Sequence, residues 1–240
     1  RIKGVVHEKA KSLSQLYIHK IGALSFRQDY ADIGQAAQGE KKTESISVAN
    51  TGSKPVKIDF TDLPGGLSLR AEPSTLSPGK KGEIFIELDT KSPVRWGATK
   101  LEASLVIDGK RVTDKKLEIR VRILDNFSNL TQEETEQASL PMVDNNVYSF
   151  GTLKAGDKIQ HTFDVKNLGR KTLTLYKYDT NKSGITVNHP KTIAPGATAK
   201  FSVNITTGND TGEQLYQITF ITNSPARPAF SLLISGTVTR

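Results

Sequence analysis

The chain contains no cysteine. Disulfides, thiolate metal sites and a cysteine nucleophile are therefore excluded, while the compartment stays open, since cysteine-free chains occur inside and outside the cell. Long apolar runs are missing as well. No stretch approaches the ~18 consecutive apolar residues of a membrane-spanning helix, and the 36% hydrophobic residues are scattered. Catalytic signatures are equally scarce. The four histidines, His7, His19, His161 and His189, show no metal-ligand spacing, and there is no HExxH, GxSxG, P-loop or GxGxxG. No Asp-x-Asp-x-Asp loop suggests a calcium site. The neighbouring carboxylates Asp59 with Asp62, and Glu133 with Glu134, fall in loop or linker settings. They lack the contrast of environments that acid–base work requires. No cofactor or metal is expected, and the chain is not read as an enzyme. It begins at Arg1 rather than Met, which points to removal of an earlier segment.

What is present is a repeat, which decides the architecture. Ile33-Gly34 recurs as Phe150-Gly151, Gly39-Glu40-Lys41 as Gly156-Asp157-Lys158, and Val48-Ala49-Asn50-Thr51-Gly52 as Val165-Lys166-Asn167-Leu168-Gly169, each 117 residues on. Pro78-Gly79 returns as Pro195-Gly196, and Ile84, Ile86 and Leu88 as Phe201, Val203 and Ile205, in the same register. Slips of one or two residues occur between Gly66 and Gly184 and between Gly97 and Gly212, as expected of loops. A third echo links Ile2-Lys3-Gly4-Val5-Val6 to Ile234-Ser235-Gly236-Thr237-Val238. It suggests that the chain opens in the closing strand of a preceding copy.

Each copy reads as β. Ile46 and Val48, Phe163 and Val165, Ile84, Ile86 and Leu88, and Ile119, Val121 and Ile123 alternate with polar neighbours. Alternation means one buried and one solvated face, as in antiparallel sheets. Asn50-Thr51-Gly52, Asn167-Leu168-Gly169, both Pro-Gly pairs and Asp108-Gly109 supply turns. About seven short strands in ~100 residues is the size of an immunoglobulin-like sandwich. The expected fold is thus all-β, two tandem immunoglobulin-like β-sandwich domains. The expected boundaries are 1–6, closing strand of a truncated preceding domain; 7–20, linker; 21–124, first domain; 125–141, acidic linker; 142–240, second domain. Ser128 is expected to cap a short helix through Gln137 in the second linker.

Charge is uneven. Residues 1–124 carry 22 Lys and Arg against 15 Asp and Glu, a net +7, and residues 125–240 carry 11 against 10, a net +1. In the first copy Lys110, Arg111, Lys115, Lys116, Arg120 and Arg122 gather at the last hairpin. Lys116, Arg120 and Arg122 share parity with Glu118 and so one solvent face. This strip reads either as a contact for an anionic polymer or as charge protecting an edge strand from edge-to-edge pairing, and the second is favoured. The lack of interleaved aromatics speaks against nucleic acid. Trp96 reads as a sugar-stacking platform or, preferably, a cover over one end of the core. The candidate partner-binding residues are Trp96, Lys110, Arg111, Lys116, Arg120 and Arg122.

The order Phe150-Gly151, Gly156-Asp157, Phe163 to Gly169, Ile193-Ala194-Pro195-Gly196 and Ile234 to Val238 resembles a bacterial immunoglobulin-like family of unknown function. That family is related to Hydin-type (ASH) and major-sperm-protein-like domains. The resemblance covers residues 143–240 well and 23–123 more loosely. Members often carry Cys-Gly-Cys where this chain has Ser183-Gly184-Ile185, so no cysteine-based role carries over. The resemblance implies secretion across the inner membrane and a place in the bacterial cell envelope, in the periplasm or at the surface. The expected function is a non-catalytic binding or scaffolding module whose partner is an envelope protein or glycan. The alternatives are an accessory region of a surface carbohydrate-processing enzyme system, and a pure spacer.

Overall fold

The computed structural model describes residues 11–240; the echo at Ile2–Val6 lies outside them. The chain forms two compact units. One comprises residues up to Val94 and Thr99–Val121; the other comprises Arg95–Ala98 and Arg122–Arg240. Arg95–Ala98 lie within the stretch read as the first domain, yet they belong to the second unit.

In the first unit a short helix α1 (Leu13–Leu16) precedes β1 (His19–Ile21), β2 (Leu24–Phe26), β3 (Tyr30–Ala37), β4 (Lys41–Ala49), β5 (Val56–Thr61), β6 (Leu67–Glu72), β7 (Thr75–Leu76), β8 (Lys81–Asp89), β9 (Gly97–Ile107), β10 (Lys110–Arg111) and β11 (Leu117–Leu124). One sheet runs β1-β2-β4-β8-β6. The other runs β3-β11-β9-β5-β7, with β10 on β9. The second unit has α2 (Gln132–Glu136), β12 (Pro141–Met142), β13 (Val147–Lys154), β14 (Lys158–Asn167), β15 (Leu173–Thr180), β16 (Ile185–Asn188), β17 (Thr192–Ile193), β18 (Thr198–Thr206), β19 (Gly212–Thr222) and β20 (Ala229–Thr239). Its sheets run β12-β14-β18-β16 and β13-β20-β19-β15-β17. Strand for strand, this repeats the order of the first unit; only β1 and β10 lack a counterpart.

The alternating residues form the cores. Ile84, Ile86 and Leu88 on β8 are fully buried, and so are their repeats Phe201, Val203 and Ile205 on β18. Leu101, Ala103 and Leu105 on β9 face the first core as Tyr216, Ile218 and Phe220 face the second. In the second core the Phe201, Phe220 and Phe230 rings pack together, with edge-on and stacked contacts at 5.0 and 5.2 Å. Such aromatic geometry adds to the stabilisation from buried apolar area.

Two buried polar residues fasten each unit in the same way. Asn50 and Asn167 are fully buried. The Asn50 amide donates to the Lys54 and Leu76 carbonyls at 2.7 and 2.8 Å and accepts from the Gly52 N–H at 2.9 Å. Asn167 repeats this with Lys171, Ile193 and Gly169 at 2.8, 3.0 and 3.0 Å, and also accepts from the Leu140 N–H at 3.1 Å. The turn expected at these positions is present, and its asparagine ties the end of one sheet to a strand of the other. At the far end, the buried Thr90 hydroxyl shares its one hydrogen between the Ala37 and Glu40 carbonyls, at 2.7 and 2.9 Å. Thr207 does the same to Lys154 and Asp157 at 2.9 and 3.1 Å. Buried polar groups are tolerated when they are satisfied in this way.

Two local expectations are corrected. Helix α2 is capped by Thr131, not Ser128. The Thr131 hydroxyl accepts from the Glu134 N–H at 3.2 Å while the Glu134 carboxylate accepts from the Thr131 N–H at 2.9 Å, a reciprocal capping box. The residues 7–20 are not simply linker, since Tyr17 is 2% exposed and β1 begins at His19. The Tyr17 hydroxyl meets Ser47 at 2.7 Å, and Arg27 and Lys81 lie over its ring.

Candidate functional site

The basic strip of the first unit lies on β10, β11 and the turn between them. β11 sits between β3 and β9 in its sheet. It is an interior strand, so Arg120 and Arg122 do not guard an edge and that reading is corrected for them, whereas Lys110 and Arg111 lie on β10, which pairs only with β9. Charges of the strip are instead engaged across the solvent face of the sheet. Lys100 on β9 reaches Glu118 at 2.6 Å and Glu102 at 3.1 Å. Glu102 also takes Lys116 at 3.3 Å, and Glu118 takes Arg120 at 2.6 Å. The Arg120 guanidinium lies 3.7 Å from the centre of the Tyr30 ring, and Arg111 pairs with Asp62 at 2.6 Å.

Hydrogen bonds from Lys100, then Arg120, hold the Glu118 carboxyl below the usual carboxylate range; Lys100 and Lys116 do the same for Glu102. Glu118 in turn raises Lys100 and Arg120. Alternating partners therefore neutralise much of the strip. Among the described residues Lys110, Lys115 and Arg122 have no carboxylate within ion-pair distance, and all three are exposed.

Trp96 is half-buried in the second unit. Its indole stacks on Tyr176 at 4.0 Å with ring planes 2° apart. The Tyr176 hydroxyl donates to the Asp125 carboxylate at 2.6 Å, and burial, with that bond, raises the phenol's pKa. Next to it the Ala98 N–H donates to Asp179 at 2.6 Å and Lys177 donates to the Ala98 carbonyl at 2.9 Å. One face of the indole is thus occupied by protein, which fits the covering role better than an open sugar platform. Trp96 belongs to the second unit, as does Arg122, while Lys110, Arg111, Lys116 and Arg120 belong to the first.

The histidines pack. His161 on β14 stacks on Tyr148 at 3.8 Å and meets Phe163 edge-on. His189 hydrogen-bonds the Pro190 carbonyl and lies against Phe201 and Phe220. Among the described residues no group of three or more His, Asp or Glu is placed to hold a metal ion.

Sequence reasoning missed a cleft at one end of the second unit, between the β15–β16 turn and the β18–β19 loop. Its volume is about 430 Å³, and Lys182, Gly184, Thr206, Gly208, Asp210 and Tyr216 line it. The half-buried Lys182 ammonium donates to the buried Gln214 side chain and lies 5.5 Å from the centre of the Tyr216 ring. Gln214 is anchored in turn by the Asp210 and Gly212 carbonyls at 3.3 and 3.5 Å. Burial raises the Tyr216 phenol. In the first copy the positions aligned with Lys182, Gln214 and Tyr216 are Pro64, Thr99 and Leu101. The signal that could have found the cleft was this departure from the repeat.

The comparisons with known proteins agree with the resemblance read from the residues. Residues 142–238 match the family described as protein of unknown function (DUF1573). Residues 22–122 match the HYDIN/CFA65/VesB-like, Ig-like domain. No curated protein matches the chain in sequence. Among solved structures, a protein of unknown function from Porphyromonas gingivalis W83 is similar in fold at 17% identity and TM-score 0.68, covering 90% of this chain and 100% of its own. The ASH/PapD-like domain 7 of human CEP192 aligns at 10% identity and TM-score 0.36, over 48% of this chain and 94% of its own. The chain is a tandem of two immunoglobulin-like β-sandwich domains, the first matched by the HYDIN/CFA65/VesB-like family and the second by DUF1573.

Proposed function

We propose that the chain is a non-catalytic binding or scaffolding module of an exported bacterial cell-envelope protein. One observation carries this reading. The two copies share the same buried polar fastenings, Asn50 and Asn167 at one end and Thr90 and Thr207 at the other. Their surfaces, by contrast, have diverged. The Lys100–Glu118–Arg120 network stands only on the first, and the Lys182–Gln214–Tyr216 cleft only in the second. A common frame with separately shaped loops and strand faces suits recognition, since loops on a rigid scaffold are where contacts with partners concentrate.

The test is equilibrium binding of the whole chain to polysaccharide and to protein purified from the envelope of the producing bacterium. Export is followed by cell fractionation. Saturable binding to either fraction, with no change in the bound material over hours, is the expected result. Cytoplasmic residence, or steady turnover of the bound material, would overturn the proposal.

A further inference from the structure

The end cleft of the second unit has an unbalanced chemistry. Lys182 is half-buried, fixed by Gln214 and the Tyr216 ring, and has no carboxylate within ion-pair distance among the described residues. A lysine usually keeps its charged tip in water on a flexible stem. Holding it at one place against a buried amide costs side-chain entropy, offset here by the Gln214 hydrogen bond and the Tyr216 ring and by no carboxylate among the described residues. The ammonium has three donors, and Gln214 takes one. Around it the cleft adds the hydroxyls of Ser183 and Thr206 and the exposed glycines Gly184 and Gly208. Asp210 stands at the same rim beyond ion-pair distance from Lys182. The first copy cannot form this site. It has Pro64 in place of the lysine, and its aligned glycine, Gly66, is closed over by the Asp89 and Ser92 carbonyls.

We propose that this cleft binds an acidic sugar, a uronic-acid residue of an envelope glycan, with its carboxylate on Lys182. The ring hydroxyls then face Ser183 and Thr206 as donors and the Asp210 carboxylate as acceptor. A fixed cation supplies the charge-assisted bond, and the mixed donors and acceptors suit a polyol better than a simple anion. A cleft of about 430 Å³ matches one or two sugar units rather than a polymer groove. This inference rests on the module reading and names its ligand.

The probe is sodium glucuronate, titrated into the isotopically labelled whole chain and followed through the amide signals of Gly184 and Gly208. Glucose tests the need for the carboxylate, and N-acetyl-aspartate amide tests an acidic peptide as its source. Glucuronate is expected to shift both amides saturably. Lys182→Met keeps the apolar stem over Tyr216 and should weaken binding about tenfold or more, the usual loss for one charge-assisted hydrogen bond. Asp210→Asn should weaken it less. An unchanged unfolding midpoint shows that each variant is folded. No shift with glucuronate, equal shifts with glucose, or equal shifts with the aspartate derivative would each overturn the proposal. If glucuronate fails while whole envelope polysaccharide still binds, the site is wrong and the module reading stands.

Discussion

Replacing Asn167 by Ala removes four hydrogen bonds from one fully buried side chain: two to carbonyls of Lys171 and Ile193 and two from the N–H groups of Gly169 and Leu140. At about 1 kcal/mol net for each bond, the cost is about 3–4 kcal/mol. Asn50→Ala removes three such bonds and should cost about 2–3 kcal/mol. Asn167→Asp should be worse than Ala, because it sets a charge against the two carbonyls that the amide served. The chain has a single tryptophan, Trp96, and it sits in the second unit. Its fluorescence therefore reports that unit in urea, while circular dichroism follows both. With a denaturant slope of about 1.5 kcal/mol/M, Asn167→Ala should lower the fluorescence midpoint by about 2 M. A fall below about 0.5 M, or a larger effect of Asn50→Ala than of Asn167→Ala on overall stability, would refute the assignment of these residues as fastenings.

Three further outcomes follow from the same geometry. Thr207→Val keeps the shape and removes the donor to the Lys154 and Asp157 carbonyls, so it should cost about 1–2 kcal/mol in the same melt, and Thr90→Val likewise. Gly169→Ala should prevent stable folding, since its new methyl would lie 2.5 Å from Ser139 Cα and 2.6 Å from Leu140 N; the aligned Gly52→Ala meets only the Asn50 side chain, at 3.2 Å, and should be mild by thermal melting. Glu118 and Glu102 have lowered pKa values, so they stabilise the fold above the usual carboxylate range and lose that contribution as pH falls through their folded values. Glu118→Gln should accordingly flatten the fall in stability on acidification through and below the usual carboxylate range, measured by urea melts at successive pH values, and an unchanged slope would contradict the network.

The repeat and the core were legible because both are periodic. Period-2 alternation on β8 and β18 specifies which side chains are buried, and the 117-residue register carries the pattern from one copy to the other. The position of β11 was not legible. Its neighbour β3 lies some eighty residues earlier, and charge on a strand does not distinguish an edge from a ladder of cross-strand pairs. The role of Asn167 was half legible. Asn-x-Gly announces a turn, but its burial depends on the Ile193 carbonyl of β17 and on Leu140, both distant in sequence. The cap at Thr131 was readable from Thr131-x-x-Glu134, which Ser128 lacks. The Lys182 cleft joins two loops that follow different strands, and it shows in the sequence only as a place where the copies differ.

The two sandwiches share one frame, and the proposed recognition rests on their diverged surfaces. One measurement tests this most directly: amide spectra of the whole chain with envelope polysaccharide, recorded together with the polysaccharide's own signals over a day. The prediction is saturable shifts confined to the Lys182–Gly184 turn, the β18–β19 loop at Gly208 and the start of β19 up to Gln214, with the glycan signals unchanged. New glycan signals growing with time would contradict the account, as would shifts centred on Asn50, Asn167, Thr90 and Thr207.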